Sequence, residues 1–207
     1  MSKRKRRRIY WIVGVVWLLV AGMLFWCMRP PKNRIPTVTH GSLERFPQFT
    51  SQFIQPRDVV IWLPDGYMAG DSCDVLYMHD GNMLFDASTT WNGQEWRVDE
   101  VMDSLIQAGA IRPCIVVGIY NTDDRLTEYF PAKSWQFIPE HEREGADLKR
   151  LTGDAYLRFI VEELKPFVDE KYKPLISREH TFMMGSSMGG LISLYALCEY
   201  PQFFGGV

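Results

Sequence analysis

The chain has 207 residues, of which 46% are hydrophobic and 23% charged, with a formal net charge of -2. That composition excludes a disordered polypeptide, and the length suits one domain with a sizeable core. The net charge hides an asymmetry: Lys3, Arg4, Lys5, Arg6, Arg7 and Arg8 are all basic, and setting those six aside leaves -8 on the remainder. An acidic main body argues against a nucleic-acid partner.

Residues 1–8 read as a basic cytoplasmic segment. From Ile9 to Met28 the chain is apolar and uncharged, about the length that spans a bilayer as a helix. Tyr10, Trp11 and Trp26 lie near its ends, where aromatic side chains favour the headgroup region, and the basic flank should stay inside. The expectation is a transmembrane signal anchor over 9–28, with the following chain outside the cytoplasm, periplasmic or extracellular. A cleaved signal peptide is the rival, but Leu24-Phe25-Trp26-Cys27-Met28 offers no small-residue cleavage site. Residues 29–40, with Pro30, Pro31 and Pro36, form a short stiff linker. Cys27, Cys73, Cys114 and Cys198 follow no metal or disulfide spacing and read as small buried hydrophobes.

The domain over 41–207 begins with loose strand-like alternation from Gly41 to Phe53. Arg57 to Leu63 is a strand ended by Pro64-Asp65-Gly66, and Cys73 to Met78 is another. With no helix between them, the first strands are expected to pair as antiparallel hairpins. Gln94 to Ala108 carries a helical period closed by Gly109. Ile111 to Tyr120 is a buried strand. Asn121 to Arg150 is long, polar and aromatic, and such connections are usually functional or mobile. Asp154 to about Tyr172 is an amphipathic helix that Pro166 should kink or divide.

Then comes Thr181-Phe182-Met183-Met184-Gly185-Ser186-Ser187-Met188-Gly189-Gly190-Leu191. An apolar run, a Gly-x-Ser-x-Gly pentapeptide and a helical pattern follow one another, which is the order of a nucleophile elbow. Ser187 must take a strained backbone conformation for its hydroxyl to stand clear of the turn. Side chains at Gly185 and Gly189 would collide as strand and helix close. Ser186 is the variable turn position. The whole alternation reads as an α/β-hydrolase fold, a mostly parallel sheet flanked by helices.

A serine hydrolase built on Ser187 needs backbone donors for the oxyanion. Met188 N–H is one. The loop His79-Asp80-Gly81-Asn82-Met83-Leu84-Phe85-Asp86 should supply the other, assigned to Asn82 with Gly81 as the alternative. His79 reads as structural, and Asp80 and Asp86 as loop-shaping. Arg125 and Glu128 mark a possible substrate loop, as a substrate-facing ion pair or carboxylate contact, or as a pair that pins the loop. Trp135, Phe137 and His141 either line a pocket or pack the loop itself.

The stretches Leu63-Pro64-Asp65-Gly66-Tyr67, Tyr77 to Asp86, Val117-Gly118-Ile119-Tyr120-Asn121, Arg125-Leu126-Thr127-Glu128-Tyr129 and Gly185 to Gly190 resemble the esterase D family of α/β-hydrolases. That family includes enterochelin, feruloyl and acetylxylan esterases and the mycolyltransferase antigens. The resemblance implies Ser187 as nucleophile with Met188 and Asn82 as backbone donors, acting on a small-molecule or glycan ester. It implies no metal and no organic cofactor.

The triad order of this fold is Ser, then Asp or Glu, then His. Here His40, His79, His141 and His180 all precede Ser187, and only 20 residues follow it. No position matches the family's acid or histidine. The chain therefore reads as the nucleophile half of a membrane-anchored serine esterase, incomplete at its C-terminus, with an uncovered sheet edge beside the elbow strand. The alternatives are an acyltransferase of the same fold and a non-catalytic anchored binding module.

Overall fold

The computed structural model describes residues 35–143 and 151–207. The basic segment, the expected anchor at 9–28 and the linker up to residue 34 lie outside the described residues. No helix among the described residues is long and apolar enough to cross a membrane.

Five strands form one sheet in the order β1-β2-β4-β3-β5. They are β1 (Ser42–Phe49), β2 (Arg57–Leu63), β3 (Asp74–His79), β4 (Cys114–Ile119) and β5 (Thr181–Met184). The sheet is mixed rather than mostly parallel: β1/β2 and β2/β4 are antiparallel, β3/β4 and β3/β5 parallel. The expected hairpin exists between β1 and β2. It does not extend to β3, because β4 is inserted between β2 and β3. The reason lies in β2 and β4, which are apolar along both faces and so belong in the centre of the sheet.

Strand alternation divides the core into two layers. Val59, Ile61, Val75, Tyr77, Ile115, Val117 and Met183 face one way. Against them pack two helices. The first is the run Gly153–Arg158, Phe159–Leu164 and Lys165–Tyr172, and the second is Met188–Glu199. Val60, Trp62, Met78 and Val116 face the other way, onto helix α1 (Val98–Gln107). We call the Gly153–Tyr172 run α2 and Met188–Glu199 α3.

Two helices depart from the sequence expectation, each for a local reason. Helix α1 starts at Val98, not at Gln94. Trp96 N–H donates to Met83 O and Val98 N–H to Leu84 O, so this stretch is tied to the loop after β3, and Arg97 turns with φ 54°. Helix α2 is divided as Pro166 requires. A wide π-type turn over Phe159–Leu164 precedes the proline, whose nitrogen has no hydrogen to give to the preceding turn.

On its outer side β5 meets Gly205-Gly206. Gly205 N–H donates to Thr181 O at 3.0 Å and Met183 N–H to Gly206 O at 3.2 Å, a short parallel bridge. Beside it, Leu76, Phe182, Met184 and Val207 line an open cleft of about 640 Å³.

Candidate active site

Ser187 ends the turn between β5 and α3 with φ 57° and ψ -121°. L-residues avoid this region, and occupying it costs of order 1–3 kcal/mol. The surroundings hold it there. A Cβ on Gly185 would lie 2.6 to 2.8 Å from the backbone of Gly189, so only glycine lets the strand end and helix start approach this closely. Gly189 N–H donates to Ser186 O at 2.8 Å, and Gly190 N–H to Ser187 O at 2.9 Å. The expected collision at Gly189 is absent: a Cβ there would meet His79 Cβ at an ordinary 3.4 Å. Ser187 is exposed and makes no side-chain capping bond to α3, so its hydroxyl is not spent on the helix.

Met188 is the first residue of α3, and its N–H has no hydrogen-bond partner among the described residues. Asn82 lies in the single helical turn Gly81–Met83 after β3. Its N–H is likewise unpartnered among the described residues. Parallel pairing of Met78 with Met184 sets the ends of β3 and β5 side by side, so both loops leave the same edge of the sheet. His79 and Asp80 lie within 3.6 Å of where a Cβ on Gly189 would stand, so the first turn of α3 lies beside the start of the Asn82 loop.

Gly81 has a different reason from the one its sequence suggests. A Cβ there would lie 2.6 Å from Gly118 C and 2.8 Å from Ile119 N. Its missing side chain lets the loop sit on the end of β4, before any ligand is considered.

The loop is fixed from behind by Asp80, which sits at φ 57° and ψ 44°. Its carboxylate receives Arg125 Nε at 2.6 Å, Arg125 Nη2 at 2.8 Å and Asn121 Nδ2 at 2.6 Å. The Asp80 N–H donates to Tyr129 Oη at 3.2 Å. Hydrogen bonding to Asp80 raises the Arg125 guanidinium further above its ordinary value, against the smaller effect of burial. Arg125 and Glu128 are thus not paired with one another. Glu128 is buried and bound by Arg57 Nη1 at 2.8 Å and Nη2 at 2.5 Å. Asp86 also serves its loop: Thr37 N–H and hydroxyl and Ser88 N–H and hydroxyl all donate to it. Burial pushes the Asp86 carboxyl up, but these bonds outweigh it and bring it to about 2.

His79 is fully buried, with Nδ1 2.7 Å from Tyr156 Oη and rings of Tyr129 and Tyr156 at 5.1 and 5.5 Å. Burial pushes its imidazole down to about 3, so it is neutral at physiological pH. His180 lies at the other end of β5, 2.7 Å from Asp74 Oδ1, and His40 precedes β1. His141 is exposed in the one-turn helix Glu140–Arg143. No described hydrogen bond joins any histidine to the Ser187 hydroxyl. Trp135 packs edge-on against Phe130 at 6.0 Å, whereas Phe137 is exposed.

Sequence reasoning missed Arg57, Asn121, Tyr129 and Tyr156 as supports of this edge. Nothing local marks them, since each acts through a partner more than 40 positions away.

A strand–serine–helix turn beside a loop with free N–H groups defines a hydrolase-type site on an α/β scaffold. Comparison with known proteins agrees. A family model described as "Putative esterase" matches residues 50–207, and the chain belongs to that family. A siderophore enterobactin esterase of Emericella nidulans is 29% identical over 153 residues, 69% of this chain and 47% of the relative. Among solved structures, the enterobactin esterase of Shigella flexneri aligns with TM-score 0.60 at 20% identity, over 85% of this chain and 38% of that one. A ferulic acid esterase of Anaeromyces mucronatus aligns with TM-score 0.56 at 21% identity, over 86% and 61%. These likenesses show the fold. The chain spans about half the length of the curated relatives it matches, 54% and 47% in two of them.

Proposed function

We propose that the chain carries the nucleophile and oxyanion-binding part of a serine carboxylic ester hydrolase. The observation that carries the reading is Ser187 itself, exposed at φ 57° and ψ -121° at a strand–helix turn, with its hydroxyl unbonded among the described residues. A strained serine held by a glycine contact is a cost without use unless the hydroxyl must be presented.

In this mechanism Ser187 Oγ attacks the ester carbonyl carbon and gives its proton to a histidine base. The carbonyl oxygen becomes an oxyanion held by the Met188 and Asn82 N–H groups, with the N-terminus of α3 adding its dipole. Collapse expels the alcohol, which takes the proton from the histidine. Water then repeats the sequence on the acyl-enzyme and releases the acid. His79 does not suit the base, because it is buried, neutral and engaged with Tyr156. We assign the base and its carboxylate partner to residues outside these 207.

The substrate class is a small-molecule or glycan ester. Relatives named for enterobactin and ferulic acid favour the small-molecule ester. The hydrophobic stretch 9–28 supports an anchored enzyme working outside the cytoplasm; carbonate-resistant recovery in the membrane pellet would bear this out, and a soluble product starting after Trp26 would contradict it.

The test of the catalytic reading is covalent labelling by a fluorophosphonate and turnover of a short aryl ester, in a protein extended by the coding sequence after Val207. Ser187→Ala should lose label and at least about a thousandfold in rate, and Ser186→Ala far less. Equal turnover in wild type and Ser187→Ala would refute it.

A further inference from the structure

The end of the sheet away from Ser187 holds a second group of chemistry-bearing side chains. Because β2 runs antiparallel to β4, with Trp62 beside Val116 and Val59 beside Ile119, Leu63 and the turn after it lie at the start of β4. The elbow lies at the opposite edge, beyond Met184. At this far end His40, Asp65 and Asp103 each offer a ligand atom, and the three atoms lie within 4.8 Å of one another. They come from three separate segments: the loop before β1, the turn after β2, and α1.

We propose that His40, Asp65 and Asp103 bind one divalent transition-metal ion of the zinc class, as a site that ties these three segments together and takes no part in ester chemistry. Two carboxylates with one imidazole suit such an ion better than calcium or magnesium, which favour all-oxygen shells. Zinc–ligand distances of roughly 2.0–2.2 Å let two donors stand about 4 Å apart across the ion. A small closure of Asp65, which is exposed and has no described hydrogen bond on its side chain, completes the set.

Further observations favour a cation here. Asp99 and Asp103, one turn apart on α1, are both buried, and no lysine or arginine pairs with either among the described residues. Burying two carboxylates without a cation is costly. Asp103 Oδ2 has only the His40 ring at 3.4 Å and the Gln107 amide at 2.8 Å. Asp99 is 1% exposed, and its Oδ2 receives the N–H groups of Thr39 and His40. Finally, the backbone at His40 is preset. Trp62 Nε1 donates to His40 O at 2.7 Å, and the next residue, Gly41, has φ +73° with Leu63 O only 2.3 Å from where a Cβ would stand. A backbone held in advance leaves less freedom to be lost when an ion binds.

The test titrates zinc chloride into the full chain at neutral pH, by calorimetry and by thermal melting. One equivalent should bind. At about a hundred times Kd the melting temperature should rise by roughly 5 °C or more, with calcium chloride giving no comparable rise. His40→Gln and Asp65→Asn should each weaken zinc binding at least about tenfold, while metal-free melting stays within about 1 °C of wild type because both positions are solvent-accessible. Asp103→Asn should abolish binding. No uptake by wild type at about 100 μM zinc would overturn the proposal. So would uptake unchanged in both His40→Gln and Asp65→Asn, or a calcium response larger than the zinc response.

Discussion

Arg125 and Asp80 stand 45 positions apart and meet in a two-point ion pair, Nε at 2.6 Å and Nη2 at 2.8 Å. The pair lies behind the loop that presents the Asn82 N–H, and Arg125 also covers the Tyr129 ring at 5.0 Å. It links the segment after β4 to the loop after β3. The fork geometry is what a planar guanidinium supplies and an ammonium cannot.

Arg125→Lys should therefore behave almost as badly as Arg125→Ala. Each should cost about 2 kcal/mol, since Asp80 is left buried with Asn121 as its remaining side-chain donor. Urea denaturation monitored by tryptophan fluorescence measures this. A lysine variant as stable as wild type would show that charge alone, without the fork, holds the loop.

Arg57 and Glu128 form the more deeply buried pair, with side chains 1% and 3% exposed. Glu128→Ala leaves the guanidinium without its carboxylate, with the rings of Tyr156 and Phe159 at 5.4 and 5.7 Å. The expected loss is about 3–5 kcal/mol. Arg57→Met combined with Glu128→Leu should recover at least half of it, because two apolar side chains need no partner. If the double variant is as unstable as Glu128→Ala, the pair's worth lies in attraction rather than in avoiding a stranded charge.

Stability should fall on acidification through His79. The unfolded imidazole binds a proton near pH 6.5, whereas burial holds the folded one down to about 3. Between those values the unfolded chain takes up a proton that the folded chain refuses, so stability drops as pH falls. The slope is about 1.4 kcal/mol per pH unit, or about 2 kcal/mol from pH 6.5 to 5. His79→Gln retains a group able to bond the Tyr156 hydroxyl and removes the titration. Urea midpoints at pH 7.5, 6.5, 5.5 and 5 should fall less steeply in the variant; equal slopes would place the proton elsewhere.

Much of this architecture is legible in the residues, for physical reasons. The β2 and β4 strands announce themselves because burial on both faces demands continuous apolar runs. The elbow is readable because a tight strand–helix crossing needs Gly185 and a presented serine at fixed spacing. Strand order is not written locally: nothing in β3 says that β4 will lie between it and β2. The pairing of Arg125 with Asp80, and not with Glu128 one turn on, depends on where the β3 loop folds back. The start of α1 is hidden for the same reason, since Trp96 and Val98 spend their N–H groups on Met83 and Leu84, which no helical period reveals.

The strain at Ser187 is measurable without catalytic activity. At φ 57° and ψ -121° every residue with a Cβ is disfavoured, whereas glycine is at ease. Ser187→Ala keeps the Cβ and should leave stability within about 0.5 kcal/mol of wild type, because the hydroxyl has no described partner. Ser187→Gly removes the Cβ and should stabilise the chain by about 1 kcal/mol, the relief of strain exceeding the extra freedom glycine gains when unfolded. The same change at Ser186, the exposed neighbour whose φ is not positive, should do the opposite and destabilise. Chemical denaturation of the three variants beside wild type decides the matter. If Ser187→Gly is no more stable than Ser187→Ala, the turn stores no strain at its serine, and its backbone gives no sign of a fold built to present that hydroxyl.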